Sequence, residues 1–119
     1  MTDSIATAVR DLAAADVVAF GGVGLAARIL PATGAYQTVH AALAGRADDV
    51  RPHLAWLLAH GSPAGQVYAA TLLESLDPEA ARAAWGAMSH DSSELTTFQG
   101  CVMDRTTLAA YATSRLTLP

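Results

Sequence analysis

Two short joints, Ser62-Pro63 and Asp77-Pro78, constrain the fold of this chain more than any other feature. Each sets a side-chain oxygen directly before a proline, where it can accept from the free N–H groups that open a helix. Proline has no N–H to lose there and its φ is already helical, so both joints read as helix starts. Between them Val67, Ala70, Leu73 and Leu76 recur as one broad apolar face. Beyond the second, Ala81, Ala84, Trp85 and Met88 do the same, again at helical spacing. Helices joined this tightly pack antiparallel with their neighbours.

The same grammar extends outward. Ile5, Val9, Leu12 and Ala13 share a face that Ser4 or Thr2 would cap. Tyr36, Val39 and Leu43 make a second stripe, ended by Gly45. Val50, Leu54, Leu57 and Leu58 make a third, introduced by Asp48 or Asp49 and stopped by His60-Gly61, where a basic side chain suits the negative helix end. A last helix, begun by Asp104 or Thr106, carries Leu108, Tyr111 and Ala112. The expected architecture for residues 1–119 is one mainly α domain of about six short helices, either a compact bundle or a HEAT-like stack of helix pairs. No sequence repeat marks such an array. The composition agrees: 52% hydrophobic and 15% charged residues exclude a disordered chain.

Two stretches break the helical pattern. Val17, Val18, Ala19 and Phe20 are strand-like and run into the glycines Gly21, Gly22 and Gly24. Thr96-Thr97-Phe98-Gln99-Gly100-Cys101-Val102-Met103 alternates and is rich in strand formers. A lone strand leaves backbone groups unpaired, so the two are expected to pair with each other as one short two-stranded β element. Against this, Asp91 and Glu94 have capping-box spacing, which argues for a helix beginning before Leu95.

The segments Phe20-Gly21-Gly22-Val23-Gly24, Pro63-Ala64-Gly65 with Tyr68, Asp77-Pro78 and Gly100-Cys101 together resemble a family of small uncharacterised bacterial proteins. The resemblance spans residues 16–103 and implies one short HEAT-like helical unit. It implies no activity, so no catalytic residue carries over.

The chemistry-bearing residues assemble into no recognisable active site. Gly22-Val23-Gly24-Leu25-Ala26-Ala27 matches a dinucleotide fingerprint, but no further βαβ units follow and no second strand supplies an acid for a ribose. Glycines that permit close approach are the simpler reading. Cys101 is the only thiol; paired strands would set it beside Gly21, Gly22, Gly24 and Gly100 at a backbone-lined notch, but a reactive cysteine also needs a base or a cation. The commoner role is a small buried hydrophobe. His53 and His60 lie seven residues apart, about 10 Å along a helix, too far to share a metal. The carboxylate pairs Asp48-Asp49, Glu74 with Asp77, and Asp77 with Glu79 all fall at helix ends, where helix-dipole stabilisation explains them. Trp56, between those histidines, sits slightly off the Leu54-Leu57-Leu58 stripe. General burial favours packing it against a neighbour; the functional alternative is an exposed interface anchor.

The remaining exclusions come from charge and composition. A net charge of −4 without a basic stripe argues against nucleic acid. A single cysteine permits no internal disulfide, and the first residues lack the basic start and apolar core of a secretion signal. No apolar run is long enough to span a membrane, and the expected location is the cytoplasm. The leading expectation is a non-catalytic protein-binding or structural module, such as an immunity-type or accessory partner, that meets another protein or a copy of itself without cofactor or metal. The alternative is a small-molecule-binding protein or small enzyme with its site around Gly21, Gly22, Gly24, Gly100 and Cys101.

Overall fold

The computed structural model describes residues 4–20, 31–99 and 102–117. Among them are five helices and three strands: α1 (Ser4–Ala13), β1 (Val17–Val18), α2 (Pro31–His60), α3 (Pro63–Leu76), α4 (Pro78–Met88), β2 (Glu94–Gln99), β3 (Val102–Thr107) and α5 (Leu108–Leu116). Each helix packs on the next in sequence.

Both proline joints behave as helix starts. The Ser62 hydroxyl accepts from the Gly65 N–H at 3.1 Å and donates to the Ala15 carbonyl at 2.5 Å, so one side chain caps α3 and ties it to the exit of α1. Asp77 closes α3 through its N–H to the Leu73 carbonyl and opens α4 by accepting from the Ala80 N–H. Its other carboxylate oxygen meets Arg51 of α2 at 3.2 Å.

The expected second and third helices are continuous as α2 except at Arg46, whose φ of −130° and ψ of 32° break the helical path. The break falls one residue after Gly45. Asp48 and Asp49 then sit at the start of the second half, where negative charge is favourable. That is why six expected helices become five, one of them broken.

The central helix is α3. It packs against α1, α2, α4 and α5 and against β1 and β2. Its buried residues, Ala64, Gly65, Val67, Tyr68, Ala69, Ala70, Leu72 and Leu73, leave almost no solvent face, as expected of a helix enclosed on all sides. Around it Ile5, Val9 and Leu12 of α1, Val39, Val50, Leu54 and Leu57 of α2, Trp85 of α4 and Leu108 of α5 complete one buried cluster. Gly65 marks the closest crossing: a Cβ there would lie 2.5 Å from the Leu12 carbonyl oxygen.

The two non-helical stretches do pair. β1 lies parallel to β2, Val17 beside Thr96 and Val18 beside Thr97. The sheet is larger than expected, because β3 pairs antiparallel with β2 to give the order β1-β2-β3. Residues 102–107 are therefore strand, and α5 is capped by Thr107, which accepts from the Ala110 N–H, not by Asp104 or Thr106. Asp104 is a poor strand former, and it and the charged Arg105 are tolerated on an edge strand where they meet solvent. Arg105 reaches Glu94 diagonally across the hairpin at 2.8 Å. The Asp91/Glu94 capping box is also overturned. Asp91 accepts from Ser93 two residues on, and its carbonyl takes the Ala109 N–H of α5, while Glu94 opens β2. No helix among the described residues is long and apolar enough to cross a membrane.

Candidate interaction surface

Gly21, Gly22, Gly24, Gly100 and Cys101 lie outside the described residues, but the structure shows what leads into them. The chain leaving β1 is held by two buried hydroxyls. Tyr68 accepts from the Ala19 N–H at 2.8 Å and donates to the Ala19 carbonyl at 2.9 Å, and Thr33 donates to the same carbonyl at 2.6 Å. Phe20 lies edge-on to Tyr36 and Tyr68, with centroids 4.9 and 5.3 Å away. Burial raises the Tyr68 phenol above its ordinary range, against the bonds to Ala19 and Thr33 that lower it. The arrangement anchors the backbone at Ala19. Two landmarks of the Pro63-Ala64-Gly65…Tyr68 segment are thus structural, Gly65 for the α1 crossing and Tyr68 for the β1 exit.

Two clefts flank this core. One, of about 360 Å³, lies among Asp11, Ala14, Ala15, Asp16, Val17, Pro31, Ala32 and Phe98 and is mostly apolar. The other, of about 480 Å³, runs along α4 beside Glu74 and Arg115. A clamp built on Glu74 closes its floor. Glu74 accepts from the Trp85 indole N–H at 3.1 Å and from the Arg115 guanidinium, which in turn lies over the Trp85 ring at 5.8 Å. Both carboxylate oxygens are used, and Trp85 is only 2% exposed. The cluster holds α3, α4 and α5 together. Glu74 is thus a tertiary tie, not the helix-dipole residue that its place near Asp77 suggested. No group of three or more His, Cys, Asp and Glu among the described residues is placed to hold a metal.

Trp56 stands outside the core, 44% exposed on the second half of α2. Leu54 and Leu57 point inward, and the opposite face presents Pro52, Ala55, Trp56, Ala59 and His60, all exposed. The His60 ring rests against the Trp56 indole one turn away, centroids 5.3 Å apart. Between Pro52 and Ala59 the exposed side of this helix carries apolar side chains as its buried side does. The other exposed large hydrophobics among the described residues are Phe20, Val102 and Met103. The last two begin β3, whose Asp104 and Arg105 discourage strand addition along that edge.

No family model, curated protein or solved structure matches this chain.

Proposed function

We propose that this is a non-catalytic protein-binding module, a short HEAT-like helical array that docks on a protein through the outer face of α2. The observation that supports it is Trp56, exposed at 44% within a face of Pro52, Ala55 and Ala59 that carries no carboxylate or guanidinium between Arg51 and His60. Large exposed aromatics flanked by apolar surface are what interfaces use as anchors. An accessory or immunity-type partner in the cytoplasm is the kind of protein that suits such a module; the resemblance of the landmark segments adds only a bacterial setting. Affinity capture with the wild-type protein and with Trp56→Ala tests the reading. A partner retained by the first and lost by the second, with unchanged thermal melts, is the expected result; identical capture by both overturns it.

A second reading, a small-molecule site, draws on the apolar cleft beside Val17, Pro31 and Phe98. It predicts that apolar fragments raise the melting temperature and that Phe98→Ala abolishes the shift. Labelling of Cys101 at neutral pH separates a reactive-thiol version from simple binding.

A further inference from the structure

We infer that the partner of the α2 face is a second copy of this chain, packed antiparallel across a two-fold axis midway between Pro52 and Trp56. This rests on the protein-binding reading above. Helical spacing places Asp48, Pro52, Ala55 and Ala59 in a line down the middle of the exposed face, with Trp56 and His60 along one flank. An acid therefore stands at the N-terminal end of the face and an imidazole at the C-terminal end.

Reversal about the midpoint of residues 52 and 56 pairs these ends. Asp48 of each copy meets His60 of the other, and Pro52 of each lies under the other's Trp56. An imidazole N–H donates to a carboxylate, and antiparallel helices also oppose their dipoles favourably. Trp56 supplies a projection, while Ala55 and Ala59 leave the shallow surface beside it. A patch that carries both its own projection and its own recess is what an isologous interface needs. The arginines of this half-helix and of the break are directed elsewhere, Arg46 to Asp49 and Arg51 to Asp77. A single helix face covers less than the roughly 800 Å² per partner of a standard interface, so the dimer is weak and reversible.

Sedimentation velocity over a concentration series provides the test, on wild type, Trp56→Ala, Asp48→Arg, His60→Asp and an equimolar mixture of the last two. All three positions are exposed, and circular dichroism melts verify that each variant folds. Wild type is expected to dimerise with a Kd of roughly 10–100 µM, and Trp56→Ala to weaken this about tenfold or more. Asp48→Arg and His60→Asp are each expected to stay monomeric alone, since the first sets a guanidinium against an imidazole with no carboxylate to accept and the second sets two carboxylates together. Their mixture is expected to form a heterodimer, because the new guanidinium faces the new carboxylate and the second Asp–His contact survives. A wild type that stays monomeric, a dimer indifferent to Trp56→Ala, or a mixture that does not recover association overturns the inference. Monomeric protein that still captures a different protein through Trp56 also overturns it, but leaves the protein-binding reading standing.

Discussion

Tyr68 and Gly65 are ordinary helix residues in the sequence, yet each closes a contact with a segment about fifty residues away. The Tyr68 hydroxyl satisfies both the N–H and the carbonyl of Ala19 in a place no solvent reaches. Tyr68→Phe leaves that N–H without its partner, and the cost expected is about 1–3 kcal/mol in urea denaturation. Burial also raises the phenols of Tyr36, Tyr68 and Tyr111 above their ordinary value. A raised folded-state pKa makes their contribution complete below about pH 10, and it is lost as pH rises through the folded-state values, because the unfolded chain ionises first. Alkaline titration followed by circular dichroism is expected to show stability falling above that pH, with a smaller fall in Tyr68→Phe. Beforehand Gly65 and Tyr68 stood out only as landmarks of the resemblance; neither partner is local.

At the scale of elements, caps and breaks were the most readable features, because they depend on residues three or four apart. Asp77 ends α3 and begins α4, and its carboxylate adds a partly exposed contact to Arg51. Asp77→Ala is expected to cost about 1 kcal/mol, mostly through the lost N-cap, since exposed ion pairs contribute little. Thermal melts in low and high salt separate the two: the cap loss persists in salt, the ion-pair share does not. The sheet was only half readable. The pairing of β1 with β2 follows from the need to satisfy backbone groups, but β3 was hidden by Asp104, Arg105 and Thr106, which resemble the opening of a helix. Cross-strand partners, not intrinsic propensity, decide such a strand.

For the whole molecule, the enclosure of α3 makes it the least exchangeable element. Hydrogen exchange monitored by mass spectrometry is expected to be slowest at the amides of Val67 to Leu73, and faster in β3 and the outer half of α2, which face solvent. Faster exchange in α3 than in α2 would show that the core lies elsewhere. The Glu74 clamp belongs to this scale as well. One carboxylate gathers Trp85 of α4 and Arg115 of α5, forty-one residues apart from the latter. It read as a helix-end charge because nothing local distinguishes it.

The sequence by itself determined where the helices around Ser62-Pro63 and Asp77-Pro78 begin and that Ala81, Trp85 and Met88 face inward, since caps, prolines and apolar periodicity act within a turn or two; the burial of α3 on nearly every side went beyond the one face its periodicity showed. The sequence also marked Val17 to Phe20 and the stretch from Thr96 as places where the helical pattern fails. Only the tertiary structure decided that the strands number three among the described residues, that Glu74 and Tyr68 are structural ties, and that Trp56 faces outward. Those outcomes depend on which surfaces meet across tens of residues, and packing geometry, not local preference, selects among them.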